Sequence, residues 1–162
     1  MKEKFRGKTW KFGANINTDV ITPGKYENLP MDEMSLHCLE PVNPDFASRV
    51  RENDILVAGE NFGCGSAREI APQALKHLKI GAVIAKSFSR TFFRNSIAIG
   101  LPVIISEKAA RLTAQGDVLE IDLAHSQVSN ISSGAEIPVE LLDESLYGIL
   151  MKGGIFLSFR NR

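Results

Sequence analysis

Glycine, serine and arginine crowd together in Gly59-Glu60-Asn61-Phe62-Gly63-Cys64-Gly65-Ser66-Ala67-Arg68-Glu69. Glycine lets a backbone turn sharply, and such a turn between a strand and a helix can present several amide N–H groups to an anion. A helix start adds unpaired donors and a partial positive charge, so the amides around Gly65 and Ala67 are suited to hold a carboxylate. Arg68 adds a planar, two-pronged grip for the same group. Ser66 would then sit beside the bound carboxylate. A serine hydroxyl is a poor base, but a concentrated positive field stabilises its alkoxide as preorganised donors stabilise any developing oxyanion. The chemistry within reach is proton abstraction next to a carboxylate.

The same letters support a plainer reading, because Ser66-Ala67-Arg68-Glu69 is also an S-x-x-E capping box that would only satisfy helix-end amides. Spacing alone leaves both open. Other motifs are excluded: the segment is not G-x-S-x-G, has no G-K-[ST] after its glycines, and carries Arg68 where a dinucleotide fingerprint needs a third Gly or Ala. Cys38 and Cys64 are the only cysteines and form no C-x-x-C pair, so the chain supplies neither a disulfide framework nor a set of cluster ligands. Cys64 reads as a small packing residue between glycines. His37, His77 and His125 are scattered and read as surface or packed side chains.

The elements that must position this loop are partly visible. Asp54 to Gly59 reads as a buried strand ending on glycine, residues 67 to 79 as a helix with Ile70, Ala74, Leu75 and Leu78 on one face, and Ala82 to Ala85 as the next strand. Pro72 would remove a hydrogen bond beyond the first helical turn, which moves the expected start of the regular helix toward Ala71. Upstream, Trp10 to Asn15 reads as a first strand, Asn17-Thr18-Asp19 as a turn, Pro23 to Pro30 as an exposed loop and Met31 to Leu39 as a short helix. Leu101 to Ile105, Val118 to Leu123 and Val128 to Ile131 are further strand candidates. The alternation predicts an α/β fold with a mixed sheet, organised as a single domain over residues 1–162.

The length of 162 residues is enough to bury roughly two-thirds of the unfolded surface without a disulfide or metal staple. Lys plus Arg and Asp plus Glu number 19 each, so there is no basic block to neutralise phosphates and nucleic acid is not an expected partner. The start lacks the apolar run of a signal peptide, and Ile97 to Ile105 is broken by Gly100 and Pro102. A cytoplasmic protein without a membrane partner is expected.

The Gly59–Glu69 segment, preceded by Asn17-Thr18-Asp19-Val20-Ile21 and followed by Ala85-Lys86-Ser87-Phe88-Ser89-Arg90 and Phe93-Arg94-Asn95, resembles the small subunits of 3-isopropylmalate dehydratase and homoaconitase. The match in order and spacing runs over roughly residues 8 to 106. The resemblance implies the swivelling β/β/α fold of the fourth aconitase domain, here a separate chain. It implies a large partner subunit, in a heterodimer or heterotetramer, that carries a 4Fe–4S cluster on its own cysteines. By the same likeness Ser66 is the base and Arg68 binds a carboxylate of a small carboxylic-acid substrate. Asp19, Arg94 and Asn95 correspond to cleft residues, although an Asx turn suits Asp19 and a salt bridge or cap suits the other two. Ala67 departs from the second serine of many relatives.

Tyr26-Glu27-Asn28-Leu29 resembles the loop that reads the variable end of the substrate, and homoaconitase-like members place an arginine where this chain has Asn28. A third carboxylate buried without a cation is costly, whereas Leu29 can face an alkyl group. The implied reaction is the isomerisation of 2-isopropylmalate to 3-isopropylmalate by dehydration and rehydration. The alternatives are homoaconitate or 2,3-dimethylmalate chemistry and, in another class, a non-catalytic carboxylate-binding regulatory module.

Overall fold

The computed structural model describes residues 1–140 and 142–160. Seven strands form one mixed sheet: β1 (Lys4–Lys11), β2 (Ile55–Ala58), β3 (Ala82–Ala85), β4 (Val103–Ile105), β5 (Val118–Asp122), β6 (Gln127–Asn130) and β7 (Ala135–Pro138), in the order β4-β3-β2-β1-β5-β6-β7. From β1 to β4 the pairs are parallel, while β1–β5, β5–β6 and β6–β7 are antiparallel. Around the sheet lie α1 (Thr18–Ile21), α2 (Met31–Met34), α3 (Phe46–Arg49), α4 (Ile70–His77), α5 (Arg90–Ile99), α6 (Glu107–Leu112), α7 (Glu144–Met151) and α8 (Ile155–Arg160).

Parallel strands need crossover connections, and α4 and α5 provide them between β2, β3 and β4. Successive residues of β2 point to opposite faces, and both faces are covered. Leu56 and Ala58 join Phe46, Phe62, Leu75 and Phe92 in one core. Ile55 and Val57 join Leu119, Ile121, Val128 and Ile137 of the antiparallel strands in a second core, so the sheet curls back on itself. That double burial explains why Ile55–Ala58 and Ala82–Ala85 are uninterrupted apolar runs. The mixed α/β architecture expected from the sequence is the one found.

Several element boundaries differ from the sequence reading. The first strand is Lys4–Lys11 rather than 10–15, because Lys4 and Arg6 alternate with inward residues and pair with Glu120 across β5. Asn17 does not merely turn the chain: its Oδ1 accepts the Val20 amide at 2.9 Å and caps α1. The helix expected over Met31–Leu39 is α2 followed by a 3-10 turn at Ser35–His37. The helix α4 starts at Ile70, which puts Pro72 in the first turn, where its missing N–H costs nothing. The strand β7 and the helices α5 to α8 were not anticipated.

Candidate active site

The loop 59–69 leaves the C-terminal end of β2 and is stitched to the chain on either side of it. Toward the segment after β1, the Gly63 amide donates to Ile16 O at 2.7 Å, the Asn15 amide to Glu60 O at 2.8 Å and the Thr18 amide to Cys64 O at 2.8 Å. Toward the segment after β3, the Phe62 amide donates to Ser87 O at 3.0 Å and the Ser89 amide to Phe62 O at 2.9 Å. The Ser89 hydroxyl donates to Gly63 O at 2.7 Å. Three neighbouring parallel strands thus hold the loop from both sides, at the sheet edge where open α/β sheets place their ligands. Beneath it, Phe62 and Phe92 pack edge to face at 5.2 Å between centroids.

Gly63 has to be glycine, since its φ is +76° and an added Cβ would lie 2.2 Å from Cγ of Phe92. Gly65, at φ +95°, makes the next sharp turn. The result is that Ser66 and Ala67 are exposed on the crest of the loop. The amides of Gly65, Ser66 and Ala67 have no acceptor among the described residues, so three adjacent donors are open to an anion.

The capping box does not form. Helix α4 begins four residues beyond Ser66, its cap position is Glu69 in helical conformation, and no side chain caps it. The Ser66 hydroxyl instead meets the Thr18 hydroxyl at 3.3 Å, and Thr18 Oγ1 donates to Ser66 O at 2.9 Å. No carboxylate or imidazole stands within hydrogen-bond reach of Ser66 among the described residues.

Arg68 is partly buried, and its Nη1 lies 3.1 Å from Glu27 Oε2 and 4.0 Å from Asp19 Oδ1. Asp19 Oδ1 also accepts the Gly24 amide at 3.0 Å, so Asp19 serves both as turn-former and as neighbour of the arginine. A small cleft of about 50 Å³ is lined by Thr18, Gly65, Ser66, Arg68, Thr91 and Asn95, among others. Binding pockets for small molecules usually span roughly 300–1,000 Å³, so this cleft is smaller than a usual ligand pocket.

The structure thus brings together Ser66, Gly65, Ala67, Arg68 and Asn95, with Asp19 behind the arginine. Arg94 is exposed, lies outside this cleft, and makes neither a salt bridge nor a cap among the described residues. Thr91 and Asn95, four apart on α5, both line the cleft. Asn28 is exposed and Leu29 half-buried, and neither lines the cleft; Glu27 is the loop residue that reaches Arg68. Thr18, Ser89 and Thr91 are cleft residues that the sequence reading missed. Thr18 and Ser89 stand inside the motifs that carry the family resemblance, and the four-residue spacing of Thr91 and Asn95 is the signal for Thr91.

Among the described residues no group of three His, Cys, Asp or Glu side chains could hold an ion. Cys38 is buried, which pushes its thiol up to about 12, and Cys64 is a partly exposed free thiol in the loop. Among the described residues no donor set fits a cluster.

The fold and the cleft define a mixed α/β domain with a shallow cleft at the strand ends, lined by Ser66 and Arg68. Comparison with known proteins gives its family. The aconitase C-terminal domain family matches residues 1–108. The small subunit of a methanogen homoaconitase from Methanothermobacter thermautotrophicus is 46% identical over 96% of this chain and 90% of its own length. A 3-isopropylmalate dehydratase small subunit from Archaeoglobus fulgidus is 47% identical over 94% and 92%. Among solved structures, a 3-isopropylmalate dehydratase from Methanocaldococcus jannaschii superposes with a TM-score of 0.92 at 39% identity, covering 98% of this chain and 95% of that one. The chain belongs to the aconitase C-terminal domain family, in company with these separate small subunits. No helix among the described residues is long and apolar enough to cross a membrane.

Proposed function

We propose that this chain is the small subunit of an aconitase-type hydro-lyase that converts 2-isopropylmalate to 3-isopropylmalate by dehydration and rehydration. We propose further that all 162 residues form one swivelling unit working in the cytoplasm. The observation that carries the reading is the conjunction of an exposed Ser66, three unpaired amides at 65–67 and Arg68 on one cleft wall. In this assignment the amides and Arg68 hold a substrate carboxylate, and Ser66 Oγ, deprotonated to its alkoxide, takes the proton from the adjacent carbon and becomes the hydroxyl. The open amides lower the cost of charge on that oxygen, and Thr18 Oγ1 lies 3.3 Å from it. Asp19 positions Arg68.

The opposite wall, and the 4Fe–4S cluster as Lewis acid for the departing hydroxyl, are assigned to a large partner subunit, in keeping with the small cleft and the missing donor set. The alkyl substrate is preferred over homoaconitate because Asn28 is neutral and Glu27 adds negative charge to the recognition loop. Identity does not decide this point, since relatives named for either activity are equally close. The test is reconstitution. The chain alone should be colourless and inactive, and addition of the large subunit with its cluster should generate the unsaturated intermediate from 2-isopropylmalate. Turnover by the lone chain, or none in the assembled protein, would sink the reading.

A further inference from the structure

We infer that a cavity at the start of β2 is a binding site for a small polyphosphate anion, such as pyrophosphate or the diphosphate end of a nucleotide. The site does not depend on the reaction proposed above, and it shares no residue with the cleft lined by Ser66 and Arg68.

The cavity holds about 500 Å³, within the roughly 300–1,000 Å³ of ordinary small-molecule sites. Three separate segments build it. Strand β1 brings Lys8 and Trp10, the end of α3 and the turn after it bring Arg49 and Arg51, and the connection from α6 to β5 brings Gln115. Trp10 is in register with Leu56, and Asp54 directly precedes β2, so the cavity lies where β2 begins, whereas the loop 59–69 leaves its other end. Lys8 and the two arginines are far apart in sequence, and only the fold gathers them.

Their charge is not neutralised within the chain. Among the described residues Lys8 Nζ and the guanidinium groups of Arg49 and Arg51 have no salt-bridge or hydrogen-bond partner; Lys8 and Arg51 engage Asp54 through backbone amides alone. Asp54, the one carboxylate of the lining, is buried and already occupied. Its Oδ1 accepts the Lys8 amide at 3.1 Å, and its Oδ2 accepts the Trp10 indole N–H and the Arg51 amide, both at 2.9 Å. Asp54 thereby fixes the backbone under two of the cations and holds the indole as a wall between them. Gln115 Oε1 accepts the Lys11 amide at 2.7 Å, which leaves the side-chain NH2 as a further donor. Three cations against one carboxylate leave two net positive charges in the lining. A planar guanidinium grips two phosphate oxygens at once, and two linked phosphoryl groups present enough oxygens for all three cations.

Trp10 is the only tryptophan, so the cavity carries its own reporter. The protein is titrated with pyrophosphate, ADP and adenosine, following Trp10 emission and, in isotope-labelled protein, the indole N–H signal. Pyrophosphate and ADP should give saturable changes, and adenosine none. Arg49→Gln combined with Arg51→Gln, both at exposed positions, should weaken the two anions by roughly tenfold or more while thermal unfolding stays near the parent. Arg94→Gln combined with Lys108→Gln removes the same charge from other exposed positions and should leave affinity near the parent value. Arg68→Gln should do the same, which separates this cavity from the loop 59–69. No saturable change in either signal overturns the inference. So does unchanged affinity in the Arg49 and Arg51 variant, equal weakening in the Arg94 and Lys108 variant or in Arg68→Gln, or adenosine binding as tightly as ADP.

Discussion

Replacing Ser66 by alanine separates a catalytic serine from a structural one, and the structure sets both magnitudes. The side chain is exposed and its one contact is the 3.3 Å approach to Thr18 Oγ1. Its carbonyl, which Thr18 and the Arg68 amide use, is untouched by the substitution. No helix cap is lost, because α4 starts at Ile70. A neutral hydrogen bond contributes about 0.5–1.5 kcal/mol when buried, so an exposed one should cost under ~1 kcal/mol in denaturant unfolding. The loss of a general base is far larger, about 10²- to 10⁴-fold in rate, which is about 3–5 kcal/mol of barrier. The assay is steady-state dehydration by the assembled enzyme, alongside urea unfolding of the chain alone. Folding stability near the parent with kcat lowered at least a hundredfold is expected. A kcat within about threefold of the parent would refute the assignment of Ser66 as base.

Gly63→Ala combines a left-handed backbone with a Cβ 2.2 Å from Phe92, so it should destabilise the fold by about 2–5 kcal/mol, measurable by thermal unfolding. Asn28→Arg should raise the preference for homoaconitate-type over isopropylmalate-type substrates by roughly ten- to a hundredfold in competing-substrate kinetics, through a new charge-assisted contact. Leu29→Ala should separately weaken turnover of alkyl substrates in the same assay. With iodoacetamide near neutral pH, mass spectrometry should find Cys64 modified and Cys38 untouched until the chain is unfolded, because burial keeps the Cys38 thiol protonated up to about 12.

What was legible in the sequence was what local chemistry determines. Ala82–Ala85 was read to both of its ends because a strand buried on two faces is an unbroken apolar run. The loop was recognised because Gly63, Gly65, Ser66 and Arg68 have distinctive residue types in one short stretch. The first strand was misplaced, since charges on its outer positions mask an alternation that the Glu120 partner makes sense of. Helix α5 was overlooked although Ser89 caps it and Gly100 ends it in left-handed conformation, and with it went the cleft residue Thr91. The capping box failed for a tertiary reason: the loop's hydrogen bonds to Ile16 and Ser87 hold Ser66 away from the helix start. The contacts of Glu27 and Asp19 with Arg68 span the chain from one strand end to another, and no spacing rule encodes them.

The shallow cleft has a thermodynamic corollary. In the proposed function the ligand is gripped between this cleft and the large subunit, so its binding and subunit association are linked there and reinforce each other by the same factor. Apparent affinity for the carboxylic acid should therefore fall as the enzyme is diluted into dissociation. Conversely, a ligand at a hundred times its dissociation constant would strengthen the heteromer by about 2.7 kcal/mol, so that the pool of substrate itself governs how much of the enzyme is assembled.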